Sequence, residues 1–258
     1  MTRINSTCYA CSRSPTSSEH VPPRCLFPKP GDVDGRDRRL NLITVPSCED
    51  HNMLKSRDDE FLMVSIAGII GNNSIGFRYR LGKVDRAIRR SSRRLLDCAF
   101  RNRQHVVLGN LDDNRFVEAI WGTPDHDRLI ACFSLIARGI YYHEHKTRFL
   151  GDVKVMLGYI SHPDPSSREF SRFIEDRIGL ELTKKAKLGQ NPDVFYYQIT
   201  DRDDMGLSAT SLIFYGGVRV YAALIPEGVD LGKSMISRLM DTKVTTMLTL
   251  GGKIYRIS

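Results

Sequence analysis

The chain has 258 residues, 41% of them apolar and 26% charged, a balance that excludes a disordered or fibrous protein. Its 38 Lys and Arg outnumber 30 Asp and Glu, and the net charge of +8 favours a polyanionic partner through counterion release. Residues 1–20 are polar, and the apolar stretch 129–142 carries Arg138 and is shorter than the ~20 residues of a membrane helix, so a cytoplasmic protein with no membrane partner is expected.

Residues 1–60 hold four of the six cysteines and six of the eleven prolines. Such a segment is too irregular for a large apolar core, and the pattern predicts a small module stapled by metal. Asp58, Asp59 and Glu60 read as the acidic start of a helix. Its apolar positions Phe61, Leu62, Val64, Ile66, Ile69 and Ile70 lead out of the module to a stop at Gly71, Asn72 and Asn73. Next, Val84, Ile88, Ser91, Leu95 and Cys98 share one face of a helix of period 3.6. Arg86, Arg89, Arg90, Arg93 and Arg94 occupy the other, a candidate nucleic-acid contact whose plain alternative is a solvated helix face.

Thr123 and Pro124 read as the N-cap and first position of an apolar helix ending near His145, where His143 and His145 complement the helix dipole. Residues 61–150 are thus expected to be helical. Beyond them the period changes, with strands over 153–160, 194–200, 211–215 and 218–224 and a helix over 166–178. Gly216-Gly217 and Gly251-Gly252 read as hairpin turns, the second between strands 245–250 and 253–257. Residues 151–258 are therefore expected to form an α+β domain with an antiparallel sheet and no assigned role, self-association being one option. Cys98 and Cys132 read as core thiols. Alternation within strands makes Tyr196, Tyr197, Phe214, Tyr215 and Tyr221 sheet core rather than a platform for bases.

Cys8-x-x-Cys11 and Cys48-x-x-His51 are two knuckles 36 residues apart, a ligand set suited to tetrahedral Zn²⁺. A closed four-ligand shell folds a module and does no chemistry. Between the knuckles lies Glu19-His20-Val21-Pro22-Pro23, and Asn52 directly follows the second. In this order, with Asn41-Leu42 before the second knuckle and Lys55 after it, residues 8–60 resemble the zinc-bearing form of the HNH endonucleases, also called ββα-metal or His-Me finger nucleases. The runs SSEHVPPRCLFPKP, NLITVPSCEDHN and FYGGVRVY are similar to those of a large group of uncharacterised bacterial HNH proteins.

The resemblance implies a zinc-stapled ββα-metal module, followed by helices and the antiparallel-sheet domain. It implies hydrolysis of DNA phosphodiester bonds with Mg²⁺ or Mn²⁺, in settings such as bacterial defence or mobile-element biology. His20 would act as general base on water, since a neutral imidazole titrates near working pH. Glu19 and Asn52 would hold the catalytic divalent metal, and the Asn41 amide would pin the loop carrying His20. His51 stands where a fourth cysteine is commoner, which leaves open a thiolate set with Cys25 and a catalytic His51. Glu19 stands where Asp is commoner and is one methylene longer. A zinc-stapled binding module without cleavage, holding nucleic acid or protein, is the alternative reading, and RNA cleavage a further one.

Overall fold

Two short strands and a long helix wrap the N-terminal cysteines. The computed structural model describes residues 7–110, 115–160, 164–229, 246–250 and 253–257. Strands β1 (Ser17–His20) and β2 (Thr44–Ser47) pair antiparallel, with Ser17 opposite Ser47, Glu19 opposite Val45 and His20 opposite Thr44. The Gly-, Asp- and Arg-rich loop between them is held by its own chemistry. The buried Arg38 guanidinium donates to both oxygens of Asp34 at 2.5 and 2.8 Å, and Arg39 Nε donates to Phe27 O at 2.7 Å.

Helix α1 (Glu49–Ala67) starts directly after β2 with Cys48 as its N-cap. Glu49 and Asp50 occupy the dipole-favoured first turn. The acidic run Asp58 to Glu60 therefore sits inside a helix instead of opening one, and the chain crosses residue 60 without interruption. Phe61, Leu62, Val64 and Ile66 are buried, each worth about 1.5 to 3 kcal/mol relative to exposure.

The helix expected over residues 84–98 is broken. Helix α2 (Ser74–Tyr79) runs through a π-turn (Arg80–Val84) into α3 (Asp85–Arg90), and α4 (Arg94–Ala99) follows after a turn. Ser92 N donates to Arg89 O and Arg93 N to Ile88 O, a Schellman closure with left-handed φ of 53° and 66° at Ser92 and Arg93. Ser91 explains the break: its hydroxyl donates to Ile88 O at 2.8 Å and accepts from Leu95 N at 3.2 Å, competing with the helical ladder. Past the break the faces no longer align, and Cys98, expected in the core, is exposed.

A hairpin of β3 (Phe100–Asn110) and β4 (Arg115–Pro124) occupies the stretch expected to be helical. Thr123 and Pro124 end β4. The N-cap of α5 (His126–His145) is Asp125, whose carboxylate accepts from Arg128 N. Helix α5 buries Leu129, Cys132, Phe133, Ile136 and Ile140. Its half-buried Arg138 is explained by two carbonyls, Phe149 O at 3.3 Å and Gly151 O at 2.8 Å. Burial pushes the His143 and His145 pKa values down, which disfavours the cation expected at this helix end.

Strand β5 (Gly151–Leu157), helix α6 (Pro165–Leu182) and strands β6 (Leu188–Asn191), β7 (Phe195–Ile199), β8 (Ser208–Phe214) and β9 (Val218–Pro226) complete the main body. Its antiparallel sheet has the order β5-β9-β8-β7-β6, of which β6 was not expected. Tyr197, Phe214, Tyr215 and Tyr221 are buried in it. Strands β10 (Thr246–Leu250) and β11 (Lys253–Ile257) pair with Leu250 opposite Lys253, while the Gly251-Gly252 turn lies outside the described residues.

The sheet is bolted to the N-terminal module. Tyr215 OH donates to Leu26 O at 2.5 Å and Tyr79 OH to Cys25 O at 2.7 Å, so two rings satisfy one turn. Gly217 packs against Gly71 so closely that a Cβ would lie 2.5 Å from backbone atoms. One apolar core accordingly runs from Cys8 to Val220. Among the described residues no helix is long and apolar enough to cross a membrane.

Candidate metal centre

The second knuckle is built by the start of α1. Cys48 at N-cap and His51 at N3 lie within one helical turn, and Cys48 Sγ lies 3.2 Å from His51 Nδ1. The first knuckle is pinned to the strands: Cys8 N donates to Arg13 O, Tyr9 N to Pro46 O and Thr16 N to Ser47 O, each at 2.9 Å. Cys8 Sγ then lies 3.7 Å from His51 Nδ1, and Cys11 Sγ 3.6 Å from Cys48 Sγ.

All four ligand atoms fall within 4.8 Å of one another. Zinc bonds of about 2.3 Å to sulfur and 2.0 to 2.1 Å to nitrogen give tetrahedral edges of about 3.5 to 3.8 Å, close to the separations here. The cluster can hold a metal ion such as zinc. Cys8 and Cys48 are buried, as a structural site requires. The hydrogen bond with His51 holds the Cys48 thiol down at about 6, while burial raises that of Cys11, so Cys48 gives up its proton first.

This arrangement places His51 with the three thiols of Cys8, Cys11 and Cys48. His51 turns Nδ1 to the thiols, and Cys25 stands outside the cluster with its Sγ donating to Asp59 O at 3.2 Å.

The other candidates distribute around β1. Glu19 is buried, and Ser47 Oγ donates to its Oε2 at 3.0 Å. Asn52, exposed in the first turn of α1, donates from Nδ2 to Ser17 Oγ at 3.0 Å. Strand alternation places Ser17 and Glu19 on one face of β1, the face on which Asn52 reaches Ser17. The half-buried His20 ends the strand and alternates to the other face, that of Ser18. Directly after it, Val21 packs on α5 at Gly139, where a Cβ would lie 2.7 Å from Val21 Cγ2. Helix α5 therefore packs on the residue directly after His20, a contact that no spacing in residues 1–60 encodes.

Asn41 is exposed with a left-handed φ of 53°, a turn conformation that asparagine tolerates. In the same loop Val21 N donates to Ile43 O at 3.0 Å and Asn191 Nδ2 to Leu40 O at 3.3 Å. The side chain of Lys55 lies outside the described residues. A polar groove of about 700 Å³ opens between Ala10 and His51 of the knuckles and the sheet end at Gly151 and Pro226, with Arg138 and Arg148 on its wall. Glu19, His20 and Asn52 do not line it.

Arg86 and Arg89 are matched by carboxylates, Arg86 Nη2 at 3.7 Å from Asp32 and Arg89 Nε at 2.7 Å from Asp85. Arg90, Arg93 and Arg94 are exposed around the α3–α4 corner. Compared with known protein families, curated proteins and solved structures, the chain matches none.

Proposed function

We propose that the strand–strand–helix unit at the N-terminus is a metal-dependent phosphodiesterase of HNH type that cleaves DNA. The observation carrying this reading is the juxtaposition of β1 and the first turn of α1 around the Cys/His cluster, which puts Glu19 and His20 on one element and Asn52 on the facing one. Glu19 and the Oδ1 of Asn52 are hard oxygen donors suited to Mg²⁺ or Mn²⁺. A bound divalent ion supplies charge neutralisation at the scissile phosphate and the leaving oxygen. His20 takes the proton of the attacking water on its unprotonated ring nitrogen. The Cys/His cluster holds the helix start against the strands and takes no part in the reaction.

The test is nicking of supercoiled plasmid by zinc-loaded protein with and without added Mg²⁺ or Mn²⁺, alongside His20→Ala of equal zinc content. Metal-dependent cutting that disappears in His20→Ala supports the reading. Equal inertness on DNA and on structured RNA refutes it. The burial of Glu19 and its hydrogen bond from Ser47 favour the second reading, a zinc-stapled binding module that holds DNA without cutting it.

A further inference from the structure

The positive charge of this protein is not spread over it. Residues 78–103 carry ten Lys and Arg against two Asp, a net +8 that equals the charge of the whole chain and leaves the remainder balanced. Both carboxylates are used inside the segment, Asp85 by Arg89 and Arg80, and Asp97 by Arg103. Arg78, Arg90, Arg93, Arg94 and Arg101 are exposed.

The segment is a fixed surface. Val84, Ala87, Ile88, Leu96 and Ala99 are buried beneath it, and the π-turn and α4 pack on α1. Its link to the N-terminal module is direct: Arg86 reaches Asp32 in the loop between β1 and β2, and a Cβ on Gly82 would lie 3.5 Å from Asp32 O. The Schellman corner at Ser92 and Arg93 turns the chain so that Arg93 and Arg94 project from a bend rather than along a helix flank.

We propose that this surface binds the phosphate backbone of duplex DNA without reading its sequence, through Arg78, Arg90, Arg93, Arg94 and Arg101. The partner follows from charge and from ring placement. Binding of single strands needs successive exposed rings for stacking, and within the segment Tyr79 is buried and Phe100 half-buried. Phe77, at the border, is one exposed ring. A surface of guanidinium groups with no stacking platform among its described residues suits phosphates along a rigid duplex. This inference concerns a site separate from Glu19, His20 and Asn52 and does not require cleavage.

The experiment is anisotropy of labelled duplexes of two unrelated sequences, titrated with zinc-loaded His20→Ala protein at about 50 to 200 mM salt. The same titration is run on that protein carrying Arg90→Ala, Arg93→Ala and Arg94→Ala together. Equal affinity for both sequences is expected, with the slope of log Kd against log salt reduced by about 2.7 in the triple variant, about 0.9 per lost phosphate contact. A parallel Arg86→Ala, Arg89→Ala variant changes the slope by less than half as much. If zinc content or circular dichroism shows the triple variant misfolded, Arg93→Gly decides, since its φ of 66° suits glycine and one contact is worth about 0.9 in slope. An unchanged slope overturns the proposal, as does tighter binding of single strands, duplex RNA or anionic phosphatidylglycerol vesicles. Absent cleavage by wild type with the slope intact leaves this surface standing and removes only the nuclease reading.

Discussion

Replacing Cys48 by Ser tests the metal centre at its most connected ligand. Its Sγ lies 3.2 Å from His51 Nδ1 and 3.6 Å from Cys11 Sγ, and it stands at the N-cap position of α1, so one substitution opens the shell where helix and strands join. Structural zinc contributes about 10 to 16 kcal/mol to folding in small zinc modules, so one of four ligands accounts for about 3 kcal/mol. In a chain of this size each kcal/mol moves the thermal midpoint by about 2 to 4 °C, giving an expected fall of about 6 to 12 °C. The assay is zinc per chain by elemental mass spectrometry together with a thermal melt. Cys25→Ser is the matched control: its thiol donates to Asp59 O and lies outside the cluster, so zinc content stays at the wild-type value. Retained zinc in Cys48→Ser, or zinc lost from Cys25→Ser, refutes the assigned ligand set.

Tyr215→Phe removes only the hydroxyl that reaches Leu26 O at 2.5 Å in a fully buried site, and is expected to cost about 1 to 3 kcal/mol in denaturant unfolding. An unchanged midpoint would show that the sheet and the module are not coupled there. Gly139→Ala forces a methyl into Val21 at 2.7 Å and is expected to cost about 1 to 3 kcal/mol by overpacking while shifting the His20 imidazole resonances. Neutral stability with unmoved resonances would mean that α5 does not position His20. The Arg38 guanidinium holds the Asp34 carboxyl below the usual carboxylate range. Because the folded value is the depressed one, this contribution is full above about pH 4, where an unfolded Asp titrates, and is lost as pH falls through the folded value. Carbon NMR should find Asp34 still ionised when exposed carboxylates have protonated, and an ordinary titration there would refute the ion pair.

The Cys/His cluster was legible because metal ligation demands particular side chains at short intervals, and Cys8-x-x-Cys11 and Cys48-x-x-His51 have that paired spacing. The apolar helix ending at His145 and the pairing of the last two strands across Gly251 and Gly252 were legible for the same local reason, since periodicity and turn residues act over a few positions. Local signals also misled. The five arginines fit one helical face, but Ser91 beside them closed α3 early, and the hairpin of β3 and β4 lay where a helical region was expected.

By itself, then, the sequence determined the cysteines and histidine of the cluster as residue types, the α+β character and the concentration of charge between Arg78 and Arg103. The tertiary structure decided the rest. It showed that His51 belongs to the cluster and Cys25 does not, that Glu19 is buried against Ser47, and that Val21 beside His20 rests on Gly139. It also joined the N-terminal module to the sheet through Tyr215 and the close passage of Gly217 past Gly71. These outcomes depend on contacts between residues as many as 189 positions apart. Packing selects such partners by shape and hydrogen bonding once the chain has folded, and spacing along the chain carries no record of them.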